Sequence, residues 1–265
     1  MKKILFLSLF PSISFAFQTE IHGTFNAAEY DALSTSSGYH FSINTYDDDI
    51  YFDGKPFKEA GFLMEESFTS VSLGVTDVDS NGEVSAVNNI GISRTRFRDD
   101  FLFSYGIAMS KEEGAADNAE VRNYYLSSGL KLDKRTMIHV QIDYIDFLDT
   151  AVTSTNYTAG IKAVFRKANL ELTYTDINVT DNFNSISASA TGVVYEYYYS
   201  NRSYIGSSHV SITGNETDLL NSTSSSLMFG ALISRKMSFQ ARYTLERPLN
   251  ANEIKLLVFD LGYTF

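Results

Sequence analysis

The chain has no cysteine, no tryptophan and only three prolines in 265 residues. Without thiols it carries no risk of wrong disulfides in an oxidising compartment. The same absence excludes thiolate catalysis and cysteine metal sites. The scarcity of proline leaves long stretches free for ladder pairing. Long hydrophobic runs are missing too. After Ala16 no stretch approaches the roughly 20 apolar residues of a spanning helix, which excludes a helical inner-membrane protein. A membrane barrel is not excluded, because its strands alternate in polarity and give a weak hydropathy signal. Basic charge is in short supply, with 21 Lys and Arg against 32 Asp and Glu. A chain this acidic has no electrostatic footprint for nucleic acid.

The first 16 residues read as a cleavable signal peptide. Lys2 and Lys3 precede a short apolar run from Ile4 to Phe15, interrupted by Pro11, and Ser14-Phe15-Ala16 ends it with small residues at the two positions a signal peptidase reads. The expected domains are residues 1–16 as the signal and 17–265 as a barrel, the latter with net charge −13 (19 basic, 32 acidic residues).

Alternation of period two is the dominant pattern. Leu257, Phe259, Leu261, Tyr263 and Phe265 occupy every second position up to the carboxy terminus, which places them on one face of a strand. The same pattern recurs at Phe101–Met109, Ile138–Tyr144, Tyr157–Phe165 and Met237–Leu245. These stretches suit the roughly ten-residue length of a tilted membrane strand. Short basic turns (Arg94 to Asp100, Asp133-Lys134-Arg135, Arg166 to Asn169, Asn201-Arg202, Arg235-Lys236) alternate with longer acidic or polar connections (Asp77 to Glu83, Lys111 to Glu120, Asn178 to Asn184, Gly214 to Thr223, Arg247 to Glu253). Short periplasmic turns and longer external loops are expected of an all-β, up-and-down transmembrane barrel with an even strand number. Counting gives about 14 strands and leaves 12 and 16 open, with the last strand closing against the first near Ile21 to Tyr30. Two places depart from the scheme. The segment Tyr46 to Ser67 reads as a long periplasmic turn with a short helix around Glu59 to Leu63, and a parity change near Val193 to Tyr199 predicts a bulge.

Two stretches carry resemblances. Leu261, Tyr263 and Phe265 resemble the C-terminal signal that barrel-assembly machinery reads in outer-membrane proteins. Gly54, Pro56, Glu59-Ala60, Phe62-Leu63, Ser70, Ser72 and Gly74 resemble a segment of a family of general bacterial porins of gammaproteobacteria. There a Gly-Pro and a Glu-Ala-x-Phe-Leu run precede a Ser-rich strand, whereas here Lys55 separates Gly54 from Pro56 and Gly61 fills the variable position. The resemblance implies a barrel with porin-like activity and no catalytic residue.

Asp77-x-Asp79-x-Asn81-Gly82 looks like the start of a calcium loop, but Asn88 stands where a Glu is wanted, and Asn81-Gly82 reads better as a tight turn. His22, His40, His139 and His209 are expected in the lumen. The nearest acid-base pair, His139 and Asp143, lies four strand residues apart, about 13 Å and too far for a hydrogen bond. No enzyme activity, cofactor or metal is therefore expected. The expected lumen face is rich in small polar residues, including Ser70, Ser72, Ser104, Ser127, Thr158, Thr173, Ser207 and Ser211, with no hydrophobic cluster or further domain to plug it. The first expectation is a water-filled, mildly cation-preferring channel for small hydrophilic solutes or ions, lined by Lys131, His139, Asp143, Lys162, Glu171 and Arg242. The alternative is a closed structural or surface-interaction barrel. The expected surroundings are the outer membrane of a Gram-negative bacterium with its lipid and lipopolysaccharide, with monomer and trimer both left open.

Overall fold

Outward apolar residues at every second position need lipid on one face, and a sheet with no free edge is the way to place strands there. The computed structural model has that form: a closed antiparallel barrel of 14 strands in which sequence neighbours pair and the last strand pairs with the first. It describes residues 19–31, 34–48, 50, 59–80, 83–114, 119–148, 150–181, 184–200, 202–214, 221–234, 236–249 and 251–265. The signal peptide expected at 1–16 lies outside these residues, as do Asn81-Gly82, Asn201 and Arg235.

In chain order the strands are β1 (Thr19–Asp31), β2 (Ser34–Tyr46), β3 (Phe68–Ser80), β4 (Glu83–Arg98), β5 (Phe101–Glu113), β6 (Glu120–Lys131) and β7 (Thr136–Phe147). They continue as β8 (Val152–Val164), β9 (Ala168–Thr180), β10 (Ser185–Ser200), β11 (Ser203–Gly214), β12 (Ser222–Leu232), β13 (Met237–Pro248) and β14 (Ile254–Thr264). Closure runs from Glu20 opposite Thr264 to Glu29 opposite Lys255. The amide of Phe265 donates to the Thr19 carbonyl at 2.8 Å, so the ladder is tied to its last residue.

Strands of 11 to 16 residues reach or exceed the top of the roughly 9–11 that cross a hydrocarbon core, and absorb much of what the sequence suggested as loop. Lys111 to Glu113 belong to β5, and Ser80 pairs directly with Glu83. The connections expected to be external are therefore shorter than the sequence suggested. The opposite rim, which carries both ends of the barrel, holds the basic turns at the predicted places. There Asp133 accepts hydrogen bonds from the amides of Arg135 (2.7 Å) and Thr136 (2.8 Å), so the carboxylate organises its own turn.

Tyr39, Phe41, Leu73, Ile90, Phe103, Leu126, Val140, Tyr157, Tyr174, Leu227 and Leu261 are among the apolar side chains exposed on the outer face. The irregularity expected near Val193 to Tyr199 falls at the end of that range: the ladder with β9 is unbroken through Tyr197, and the register with β11 shifts between Tyr198 and Ser200, beside the turn. Tyr195, Tyr197 and Tyr199 point outward, and Glu196 and Tyr198 are buried on the inner side.

The connection between β2 and β3 departs most from a simple turn. Its ends are stitched by the Asp47 amide donating to the Ser67 carbonyl at 2.9 Å. Between them the chain forms a short helix, α1 (Ala60–Met64), close to the helix expected from sequence. Instead of staying at the rim, Glu59 and α1 reach β6, β8 and β9 on the far side of the lumen. Glu65 ends the helix with φ 63°, a left-handed conformation that a non-glycine residue adopts at about 1–2 kcal/mol.

Candidate functional site

The lumen is built from inward parity positions, and two groups of charges stand on opposite sides of it. On the β6–β9 side Glu59 is 2% exposed and takes the Lys162 ammonium at 2.6 Å. The Asn169 amide donates to Glu59 at 3.1 Å and to Glu196 at 3.2 Å, bridging two buried carboxylates. The Tyr198 hydroxyl donates to Glu196 at 3.0 Å. Lys131 has a side chain only 1% exposed; its Nζ donates to the Phe62 carbonyl at 2.9 Å and to Glu65 at 3.0 Å. The same ammonium lies 4.5 Å from the Phe62 ring centroid and 5.3 Å from that of Phe97. Cation–π contact at desolvated sites is worth up to about 2 kcal/mol. A buried charge left without its partner costs about 3–5 kcal/mol, so these contacts pin the insert firmly.

Beside the insert lies an apolar patch, Tyr198, Tyr204 and Met228 with Val194 and Leu232 packed against it. Gly230 makes it possible: a Cβ there would run into the Tyr204 ring. The Tyr204 hydroxyl donates to Gln240 at 2.9 Å. The expectation of a lumen with no apolar cluster and nothing inserted is thus corrected on both counts.

Across the lumen, on β1, β2 and β14, His22 stands between two carboxylates, with Nε2 3.1 Å from Glu20 and Nδ1 2.9 Å from Asp260. The Tyr46 hydroxyl donates to Glu20 at 3.1 Å and the Thr24 hydroxyl to Asp260 at 2.9 Å. Glu20 and His22 line a cavity of about 490 Å³ that lies between this side and the insert, with Phe62, His139, Lys162 and Glu171 also on its walls. At the rim below, Glu66 has its carboxyl pushed above the usual range by burial and by the neighbouring Asp48 and Asp47.

The six charged residues expected in the lumen occupy inward positions, but they are not equivalent. Lys131 and Lys162 are engaged by the insert. His139 lies 3.5 Å from Glu171, not with Asp143, which accepts from Gln141 at 2.9 Å. Arg242 lies on the inward parity of β13. Leu261, Tyr263 and Phe265 are exposed on the outer face. His209, Ser207 and Ser211 are a correction. They share the outward parity of Ile205, and His209 Nδ1 meets Ser225 Oγ at 3.0 Å on the outer surface. The sequence reading missed the group at Glu20, His22 and Asp260. Asp260, an isolated charge between Phe259 and Leu261, was its one visible signal. Among the described residues no group of His, Asp and Glu is arranged to hold a metal ion.

No described protein family and no curated protein matches the sequence. Solved structures do. The chain is similar to the outer membrane protein Omp33 of Acinetobacter baumannii, with TM-score 0.60 and 12% identity over 94% of this chain and 98% of that one. It is also similar to the anion-selective porin from Comamonas acidovorans, with TM-score 0.54 and 7% identity over 94% and 98%. A loop L8 deletion mutant of OmpT, an outer membrane protein of Vibrio cholerae, gives TM-score 0.51 and 11% identity over 95% and 100%. What these likenesses establish is the fold, that of an outer-membrane β-barrel.

Proposed function

We propose that the protein is a porin-like channel in the outer membrane of a Gram-negative bacterium, through which small hydrophilic solutes and ions diffuse passively. The observation that carries this reading is the cavity of about 490 Å³ left beside the insert, with Glu20, His22, His139 and Glu171 on its walls. The insert narrows the passage, so the expected conductance is small for a barrel of this strand number. The rim carrying the barrel's ends faces the periplasm in this reading, and the outer-face row ending in Phe265 serves the assembly machinery and lies against lipid. No catalytic role is part of it.

Preference for cations is expected from the lumen rather than from net charge alone. Lys131 and Lys162 are already neutralised by Glu65 and Glu59, and the further carboxylates on the cavity wall are Glu20 beside His22 and Glu171 beside His139. The Comamonas porin is anion-selective, but at 7% identity its lumen charges are not a guide to these.

The closed structural barrel is the second reading, and the insert together with the Tyr198–Tyr204–Met228 patch is what favours it. Planar-bilayer recording of the purified protein under a KCl gradient separates the two. Discrete small openings with a cation-signed reversal potential, fading as salt rises, are expected for the channel. Absence of conductance supports the closed barrel, and an anion-signed potential overturns the selectivity.

A further inference from the structure

The two rims treat their cations differently. Near the external end the basic side chains are neutralised by neighbours: Arg122 with Glu120 at 3.0 Å, Arg247 with Glu253 at 2.9 Å, Lys255 with Glu29 at 3.5 Å. At the opposite rim Lys134 and Arg135 in the β6–β7 turn, and Arg166 and Lys167 in the β8–β9 turn, are exposed. None of these four has an ion-pair partner among the described residues. The nearby acid, Asp133, is engaged by its own turn: besides the two amides, the Thr136 hydroxyl donates to it at 3.3 Å.

The two turns are neighbours, because Thr136 pairs with Ala163. Beside the first turn lies a groove of about 360 Å³ with Asp133, Lys134, Arg135 and Phe165 on its walls; Arg166 and Lys167 follow Phe165 at its edge. Phe165 is 54% exposed on the outer face and is followed at once by Arg166; Leu132, 59% exposed, precedes the other basic pair. Apolar groups that belong in hydrocarbon therefore adjoin cations that belong in water, and the headgroup level of a bilayer passes between them.

We infer that this groove binds the phosphate of an anionic phospholipid, with Lys134, Arg135, Arg166 and Lys167 around the headgroup and an acyl chain descending over Phe165. A lipid fits better than a soluble anion because the groove opens onto the apolar outer face. The inference rests on the membrane placement proposed above and is independent of conduction.

The test is native mass spectrometry of the protein released from nanodiscs holding equal phosphatidylglycerol, phosphatidylethanolamine and phosphatidylcholine. Retention of phosphatidylglycerol over phosphatidylcholine is expected, unaffected by excess inorganic phosphate. Lys134→Gln with Arg135→Gln, and separately Arg166→Gln with Lys167→Gln, should each lower that retention about thirtyfold, as expected for removing two surface cations. Lys111→Gln at the external end should leave it unchanged. Equal retention of the neutral and anionic lipids by the unaltered protein overturns the inference without use of any variant. Displacement by inorganic phosphate overturns the lipid assignment, and heat-modifiable variants that keep full retention overturn the site. Conductance of the same samples reports separately on the channel.

Discussion

The two sides of the lumen hold similar charges and use them differently. On the β6–β9 side Glu59 and Lys131 are almost wholly buried, and each is matched by a partner from another segment of chain. Across from them His22 and Asp260 have side chains 17% exposed and Glu20 22%, with Glu20 and His22 lining the cavity. The first group is spent on holding the insert, which makes it structural. Glu20 and His22 of the second line the cavity without holding the insert, so in the proposed channel they are what a permeating ion would meet, along with Lys162, which reaches the same wall. Inward-facing charge in a barrel is thus not automatically pore charge, because a segment folded into the lumen can consume it.

The largest expected effect comes from breaking the consumed side. Lys162→Met leaves the Glu59 carboxylate buried without its cation, which costs about 3–5 kcal/mol of local stability. Limited proteolysis should then cut between β2 and β3 while the barrel stays heat-modifiable. Resistance equal to that of the unaltered protein would show that the ion pair does not hold the insert.

A smaller effect is expected on the open side. Glu20→Gln removes one cavity-facing charge, worth about 0.5 kcal/mol in a watery lumen, and should reduce the cation-to-anion permeability ratio roughly twofold. The measurement is reversal potential at low salt. A change at Lys162 larger than that at Glu20 would reverse the comparison.

The smallest effect belongs to a rim turn outside both groups. Asp133 has its carboxyl held below the usual range, first by the Arg135 amide and also by the Thr136 amide and hydroxyl and the Arg135 charge, against the opposing effect of desolvation. A lowered carboxylate contributes stability that is present above its ordinary pKa and fades as pH falls through the lowered value. Asp133→Ala should therefore depress the urea midpoint slightly at neutral pH and not at strongly acidic pH. A deficit that persists in acid would assign the effect to something other than the carboxylate.

The strand pattern was legible because each strand carries its own evidence. Period two with an outward apolar face is local, and Leu257 to Phe265 display it without reference to the rest of the chain. Parity failed on β11, where Tyr204-Ile205-Gly206-Ser207-Ser208-His209-Val210-Ser211-Ile212 offers apolar and polar residues on both faces. His209, Ser207 and Ser211 were expected inside, and Tyr204 buried against Met228 imposes the other facing. The docking of α1 was illegible for a different reason. Glu59 and Asn169 are 110 residues apart, and nothing local to either announces the contact. Lys131 and Lys162 sit on inward parity positions, but their engagement depends on that remote segment.

In the proposed channel a passage remains open beside a pinned insert. Single-channel conductance of the Lys131→Met, Lys162→Met double variant against the unaltered protein tests it most directly, with heat-modifiability confirming that the barrel has folded. Cutting both tethers should give a larger, noisier conductance that keeps its preference for cations. A conductance unchanged in size and noise would mean that the insert does not constrict the pathway and would contradict the account.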